Sequence, residues 1–275
     1  MKFAICNETF LDWPFDKAFA FARECGYTGI EIAPFTIANN AKEITGKKRT
    51  EVLQQAKQAG LEVVGLHWLL AKTEGYYLTH PELSVRRNTA EYLGELARLC
   101  RDLGGKILVL GSPQQRNLLP GVTLPQAMEY AADVIRTAIP VLEETQVTLA
   151  VEPLGPAEGD FLVTSAEGVE LVNMVNSPWC QLHLDCKAMS SEQDSVATLV
   201  RRQKKHMVHF HANDPNRLGP GFGELQFEPI LAALQEIDYH GWVSVEVFDY
   251  TPGVERLASE SINYMRGCLK PKANK

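Results

Sequence analysis

Several features are scarce or missing in the sequence, and each absence excludes a class of protein. No run of about 18 apolar residues occurs, so no transmembrane helix is expected. The first residues, MKFAICNETF, lack the apolar core of a secretory signal peptide. The six cysteines are scattered without a CxxC pair, which disfavours a thiolate zinc site and a disulfide frame. We therefore expect reduced thiols in a cytoplasmic protein.

An excess of positive charge is also missing, because 34 acidic residues outnumber 27 basic residues and the formal net charge is −7. Nucleic-acid-binding proteins gain much of their affinity from lysine and arginine contacts to phosphates, so that class is disfavoured. Hydrophobic residues, in contrast, make up 45% of the 275 positions. This share is enough to bury a full core in one large domain or in two ordinary ones.

Short apolar segments recur at intervals of roughly 30 residues, and each precedes a stretch with helical periodicity. Amphipathic stretches such as RTEVLQQAKQAG end in glycine, which is typical of helix C-termini. Near-continuous apolar strands joined by helices predict a parallel sheet covered by helices. The apolar segments are KFAICN, GIEIAP, LEVVGLHW, KILVLG, VTLAVEP, CQLHLD, MVHFHA and WVSVEVF.

Eight strand–helix units predict an α/β protein with a single (β/α)8 TIM barrel as its one domain, residues 1–275. The tail 269–275 is expected to fray. A doubly wound open sheet is the alternative, but its first strand is usually followed by a glycine-rich turn, and CNETF has no glycine. The long connections 69–83 and 112–123 each follow a strand, so they are expected to form a lid on the active face.

Four consecutive predicted strands each end in a residue that can bind a metal ion. These residues are Glu152, Asp185, His211 and Glu246. Active sites of (β/α)8 barrels lie at the carboxyl ends of the strands, so the four side chains are expected to converge. Three carboxylates and one imidazole suit a single divalent ion, foremost Mn²⁺, with Mg²⁺, Co²⁺ and Zn²⁺ as alternatives.

Each of these residues also has an ordinary structural explanation when it is taken alone. Glu152 can be a surface residue, Asp185 can cap the next helix, and His211 can be a hydrogen-bonded core histidine. Glu246 is harder to explain in this way, because a charge within VSVEVF is rarely buried unless it is paired or metal-bound. Since the four end successive strands, we interpret them together as one metal site.

A family resemblance is carried by these four residues, by Asn216-Arg217 after the histidine, and by the stretch GFGELQFEPILAAL. Together they resemble the sugar phosphate isomerase/epimerase superfamily with its xylose isomerase-like barrel, and most closely the D-tagatose/D-psicose 3-epimerases. The resemblance implies a divalent-metal-dependent isomerase or epimerase that acts on a ketose or related polyol ketone. The implied chemistry removes the proton next to the carbonyl group and passes through a metal-stabilised enediolate.

The resemblance also implies roles for single residues. Glu152 and Glu246 would act as catalytic base and acid while they hold the metal. Glu158 and Arg217 would contact hydroxyl groups of the substrate. His67 ends the third strand and points to the same face, where it would touch the substrate; a packed core histidine is the alternative.

One position departs from the pattern of those epimerases. A histidine that binds substrate oxygens follows their aspartate ligand by three residues, but the stretch here reads Asp185-Cys186-Lys187-Ala188. The metal site is expected to survive this change, whereas the substrate and the reaction are left open. Lys187 can reach inward in place of that histidine, but a lysine at such a position is usually solvated. His209 is interpreted as a structural residue that faces the helices, away from His211.

Three further functions stay open at this point. A metal-dependent dehydratase or lyase on an inosose or 3-keto-glycoside shares the first proton abstraction, and the absent histidine favours it. A nuclease of the endonuclease IV type needs several more histidines for its three zinc ions, and the chain has seven in all. A non-catalytic binding barrel predicts a lost ligand or base, and none is lost. The expected partner is a small carbohydrate rather than a nucleic acid or a membrane, and a homo-oligomer is implied only by the family.

Overall fold

A closed barrel of eight parallel strands, paired in chain order with the last strand returning to the first, forms the centre of the molecule. The structure is a computed structural model and describes residues 1–269. The architecture confirms the predicted (β/α)8 barrel and excludes the open sheet. The strands are β1 (Lys2–Cys6), β2 (Gly29–Ile32), β3 (Glu62–Leu66), β4 (Ile107–Leu110), β5 (Thr148–Val151), β6 (Cys180–Asp185), β7 (Met207–Ala212) and β8 (Trp242–Val245).

Helices connect successive strands and cover the outside of the barrel. Glycines at positions 26 and 60 end the first two helices with φ angles of 104° and 73°, as the sequence predicts. Within the described residues the helices are α1 (Phe15–Cys25), α2 (Gly46–Ala59), α3 (Leu83–Asp102), α4 (Leu124–Thr145), α5 (Ser165–Val175), α6 (Cys186–Met189), α7 (Val196–Arg202), α8 (Phe227–Glu236) and α9 (Val254–Cys268).

The division into one domain over residues 1–275 stays a prediction. The predicted frayed tail, apart from Leu269, lies outside the described residues. Among residues 1–269, no helix combines the length and the apolar character that crossing a membrane requires. The six cysteines are free thiols, whereas the cytoplasmic location stays a prediction.

The fold has two buried regions of different character, an apolar one between the strands and the helices and a polar one inside the barrel. The apolar core lies between the outward faces of the strands and the helices, where side chains such as Phe19, Tyr92 and Phe227 are fully or almost fully buried. The inside of a (β/α)8 barrel is usually filled by branched apolar residues. Here it holds Glu31, His183 and His209 instead, all with 0% exposure. A buried layer of carboxylate and imidazole groups therefore lies beneath the carboxyl ends of the strands.

The two long connections predicted as a lid contact each other beside those strand ends. The backbone N–H of Leu78 donates to the carbonyl oxygen of Gln115 at 2.7 Å. The hydroxyl group of Tyr77 donates to the carbonyl oxygen of Asn117 at 2.9 Å. These bonds join the loops into one structure, and their action as a lid stays a prediction.

Candidate metal centre and active site

Strand register brings two of the four predicted ligands to the same level. β6 and β7 pair with Asp185 opposite His211 and with His183 opposite His209. An irregularity after Leu182 shifts the register, so that β7 carries one extra residue before these pairs form. Such bulges redirect side chains near active sites. As a result, these two pairs of side chains can point into the barrel, with Asp185 and His211 in one layer and His183 and His209 in the layer beneath.

The other two predicted ligands directly follow their strands, Glu152 after β5 and Glu246 after β8. Metal-binding atoms of Glu152, Asp185 and His211 lie within 4.8 Å of one another, together with one atom of His183. Glu246 joins this group through His211, because its Oε2 lies 3.1 Å from Nδ1 of the imidazole. All four predicted ligands are at most 7% exposed. The structure therefore brings them together at the barrel mouth.

Asp185 has a structural role as well. Its Oδ1 accepts the backbone N–H of Ala188 at 2.8 Å, which caps the single-turn helix α6. Its Oδ2 accepts the side-chain N–H of Asn213 at 2.6 Å. The capping explanation is thus correct, and it does not exclude metal binding, because each carboxylate oxygen keeps a second lone pair. The two hydrogen bonds fix the orientation of the carboxylate.

The pKa values of the two candidate catalytic carboxyl groups move in opposite directions. Burial and then the charge of Glu246 raise the pKa of Glu152 well above its ordinary value. Burial also raises the pKa of Glu246, but the charge and hydrogen bond of His211, together with the charge of His67, outweigh burial, so the net pKa is lowered. These opposite directions describe the site without a cation, where one carboxyl group is favoured in its protonated form and the other in its ionised form.

The side chains fit a divalent cation chemically. Three carboxylates converge in a buried space, where the charges of Glu246 and Asp185 add to burial in raising the pKa of Glu152. A cation relieves this repulsion. Both ring nitrogens of His183 lack a hydrogen-bond partner, and its Nε2 lies 3.8 Å from Oε1 of Glu152. Glu152, Asp185, His211 and Glu246 are the residues that can hold the ion, with His183 beside them.

Glu31 lies beneath these residues and contacts two histidines at once. Its Oε1 is 3.0 Å from Nε2 of His211, and its Oε2 is 2.8 Å from Nε2 of His209. The expectation that His209 faces the helices is therefore wrong. Residues two apart in a strand share a face, so His209 points inward like His211. The Glu31 carboxylate lies at hydrogen-bond distance from Nε2 of His211 and orients the ring, so that Nδ1 faces Glu246.

Replacing Glu31 by glutamine is expected to weaken metal binding by roughly 10- to 100-fold, the usual effect of losing a carboxylate that orients a histidine ligand. A titration of Mn²⁺ into the chelator-treated protein measures the dissociation constant. His209→Gln is the matched control, because it disturbs the other oxygen of Glu31 and leaves the pair with His211 in place. Equal dissociation constants for Glu31→Gln and wild type would show that Glu31 does not orient His211.

His67 is positioned by a carboxylate that the sequence analysis missed. Its Nε2 lies 2.6 Å from Oε2 of Glu8, which follows β1, and both side chains are buried. The second oxygen of Glu8, Oε1, has no hydrogen-bond partner. His67 lines a small cavity together with Glu152 and Glu246. The structure thus places His67 at the predicted face, within reach of a ligand in that cavity.

The predicted substrate contacts lie at two different depths. Glu158 lines the small cavity with Glu152 and Glu246, and it contacts the ammonium group of Lys187. The expectation of a solvated Lys187 is wrong, because only 14% of its side chain is exposed and its ammonium group lies in the cavity. Arg217 lies farther out, where it lines a cleft of 650 Å³ together with Glu158 and Lys187.

Arg217 also acts through its backbone. It adopts a left-handed conformation with φ 74°, which is uncommon for a residue with a side chain. Its carbonyl oxygen accepts the N–H of Phe248 at 2.9 Å and the N–H of Asp249 at 3.2 Å. These bonds fix the segment after β8, which carries Phe248 over the cavity.

Two aromatic rings and an apolar cleft complete the site. The rings of Trp68 and Phe248 pack edge to face with centroids 6.2 Å apart, and both line the small cavity. A cleft of 370 Å³ extends from these rings towards Leu11, Phe35 and Tyr250. Apolar walls with a few polar groups are typical of small-molecule sites. The arrangement can bind the C–H face of a sugar next to the carboxylates.

Arg116 supports the site from below, and the sequence analysis did not single it out. Its guanidinium group is 2% exposed and donates five hydrogen bonds, all of them to backbone carbonyl oxygens. The shortest, 2.7 Å, goes to the carbonyl oxygen of Glu152. Others go to Leu110, Phe161 and Leu162. Arg116 therefore joins the ends of β4 and β5 to the loop that follows Glu152.

With this geometry known, comparison with other proteins identifies the family. The family model described as "Xylose isomerase-like TIM barrel" matches residues 19–268. The chain belongs to this family. The match covers most of the barrel, from α1 to α9, and confirms the resemblance found in the sequence.

Several relatives of this chain are named as sugar epimerases. A probable ketose 3-epimerase of Synechocystis sp. is 26% identical over 267 residues, which covers 91% of this chain and 90% of that protein. A 3-dehydro-D-guloside 4-epimerase of Escherichia coli is 23% identical over 274 residues and covers 98% and 100%. The crystal structure of a D-psicose 3-epimerase with D-tagatose from Clostridium cellulolyticum superimposes with a TM-score of 0.85 at 20% identity, covering 98% and 100%. The prediction of an enzyme is thereby confirmed.

Proposed function

We propose that this enzyme isomerises or epimerises a ketose or related polyol ketone by removing a proton from the carbon next to the carbonyl group. The observation that carries the proposal is the convergence of Glu152, Asp185, His211 and Glu246 at the barrel mouth. We propose one divalent ion there, foremost Mn²⁺, because oxygen ligands predominate. When bound, the ion polarises the substrate carbonyl and lowers the energy of the charge that develops.

The protein side chains supply the proton transfers. We propose Glu246 as the base and Glu152 as the acid, the two roles that the family resemblance implies for these carboxyl groups. Both line the same small cavity, which they reach from strands three positions apart in the eight-stranded ring. They therefore approach a bound carbon from different sides. That arrangement allows one group to remove the proton and the other to return it on the opposite face.

The substrate class follows from the walls of the site. Glu158 and Arg217 offer hydrogen-bonding groups to hydroxyls, and His67 lies deeper in the same cavity as the carboxylates. Trp68 and Phe248 cover the cavity with apolar surface. The names of the Synechocystis and E. coli relatives support two substrates of this kind, a free ketose and a keto-glycoside. A homo-oligomer stays a prediction from the family.

A metal-dependent dehydratase or lyase on an inosose or 3-keto-glycoside is the second candidate. It uses the same proton abstraction and then expels a substituent from the β-carbon. Two observations favour it: Ala188 stands where related epimerases have histidine, and Lys187 lies inside the cavity as a cationic donor. A cationic donor can assist a departing oxygen.

Proton NMR in D₂O tests the proposal and separates the two candidates. Mn²⁺-loaded protein is incubated with ketoses, inososes and 3-keto-glycosides, and deuterium at the carbon next to the carbonyl is measured over time. We expect deuterium incorporation together with an epimer or isomer. An eliminated enone instead identifies the lyase. No deuterium in any compound of the panel would reject proton abstraction from these substrates.

A further inference from the structure

One charged side chain inside the cavity has no part in the proton transfers described above. The ammonium group of Lys187 contacts Glu158 and lies 5.0 Å from the ring centroid of Phe248. It lines the same small cavity as Glu152 and Glu246. Lysine usually keeps its strongly hydrated ammonium group in water while its stem packs against the protein. Here the charged end points inward, which requires a partner in the cavity.

The backbone holds Lys187 in place next to the metal ligands. Its N–H donates to Oδ1 of Asn213 at 2.8 Å, and Nδ2 of Asn213 donates to Oδ2 of Asp185 at 2.6 Å. The capped turn α6 places Lys187 two residues after Asp185, directly before Ala188. The backbone of Lys187 is therefore tied to the candidate metal centre through Asn213, while the contact with Glu158 holds the ammonium group.

We propose that Lys187 is a substrate-binding residue whose ammonium group donates a hydrogen bond to an oxygen of the bound ketone and stabilises the negative charge that develops there. An ammonium group has three donors, and one contact to Glu158 leaves donors free for a ligand. The proposal rests on the proposed function, since this charge arises only when a proton leaves the neighbouring carbon.

A purely structural role makes different predictions. If Lys187 only neutralised Glu158, the double variant Glu158→Gln/Lys187→Met would be as active as Glu158→Gln alone. If Lys187 binds the substrate, the double variant is less active than Glu158→Gln. The single variant Glu158→Gln is therefore measured beside the double variant, because Glu158 is itself a proposed substrate contact. The side chains of Glu158 and Lys187 are 30% and 14% exposed, respectively, so single substitutions are expected to leave the barrel folded.

The experiment measures deuterium exchange by Mn²⁺-loaded Lys187→Met, Lys187→Ala and the double variant, with exposed Lys204→Met as the matched control. We expect Lys187→Met to lower kcat by about 10²-fold, as for the loss of one donor to a developing oxyanion. Titration of Mn²⁺ should show metal binding no weaker than in wild type. Added methylammonium ions should restore part of the activity of Lys187→Ala, which a structural role does not predict.

The outcomes separate this proposal from the proposed function. Three results each overturn the role of Lys187 and leave the proposed function standing. They are exchange by Lys187→Met at the rate of Lys204→Met, a double variant as active as Glu158→Gln, and no rescue of Lys187→Ala by methylammonium. An absence of exchange in the wild-type enzyme rejects the proposed function, and the role of Lys187 falls with it.

Discussion

Replacing Glu246 by glutamine is expected to slow deuterium exchange on the order of 10³-fold, the range for losing a general base. Glutamine has nearly the same shape, but it cannot accept the proton. The substitution also removes a charge that lies 3.1 Å from Nδ1 of His211, so a lower affinity for Mn²⁺ is expected as well. Saturating Mn²⁺ in the NMR assay separates the two effects.

Glu24→Gln is the matched control for this substitution, because Glu24 is exposed on helix α1. It removes the same charge far from the barrel mouth and should exchange deuterium like wild type. Circular dichroism and the thermal midpoint check that both variants fold. If Glu246→Gln were as active as Glu24→Gln at saturating Mn²⁺, Glu246 would not be the base.

Replacing Arg116 by methionine is expected to lower the free energy of unfolding by about 3 kcal/mol. Burial lowers the pKa of this guanidinium group to about 10, yet its five hydrogen bonds keep the carbonyl oxygens around it satisfied. A buried polar group that loses its partner costs about 1–3 kcal/mol. Methionine fills much of the volume but donates no hydrogen bond, and the midpoint of urea unfolding measures the loss.

Arg256→Met is the control, because Arg256 is exposed, forms its ion pair with Glu260 one turn along helix α9, and otherwise lies 5.9 Å from the ring centroid of Phe222. An exposed pair of this kind is worth about 0.3–0.5 kcal/mol. Arg116→Met should also weaken Mn²⁺ binding, since it frees the backbone at Glu152. Equal urea midpoints for the two variants would contradict the supporting role of Arg116.

The fold could be predicted from the sequence because its signals are local. Each strand is a short apolar run and most helices are amphipathic, so the order of elements follows from periodicity alone. Helix ends are less well predicted. Helix α8 ends at Glu236, and Asp238 adopts a left-handed conformation with φ 56°. No glycine marks that end.

Part of the buried layer of carboxylate and imidazole groups is indicated by the same sequence signals that indicate the predicted metal ligands. A charge within an apolar run singled out Glu246, and Glu31 within GIEI has the same signature. His183 and His209 each lie two residues before a predicted ligand and share its face of the strand. Glu8 lies two residues after the end of β1, close to the point where the other polar residues follow their strands. The alternation of side chains along a strand and the positions of the strand ends are therefore enough to predict that these residues face the site.

Lys187 and Arg116 could not be predicted in this way, because their partners lie far away in the sequence. The direction of Lys187 depends on α6 being a single turn and on Asn213, which is 26 residues away. The partners of Arg116 include Phe161, 45 residues later. A polar loop such as SPQQRNLL gives no local indication that its arginine is buried. Such contacts follow from tertiary structure.

The measurement that tests the central claim most directly is a calorimetric titration of Mn²⁺ into chelator-treated wild type, Asp185→Asn and the exposed control Asp12→Asn. We predict one bound ion per chain in wild type and in Asp12→Asn. In Asp185→Asn the affinity should fall by more than the roughly 10- to 100-fold that residues outside the ligand set contribute. No bound ion in wild type, or an unchanged affinity in Asp185→Asn, would contradict a metal centre at the barrel mouth.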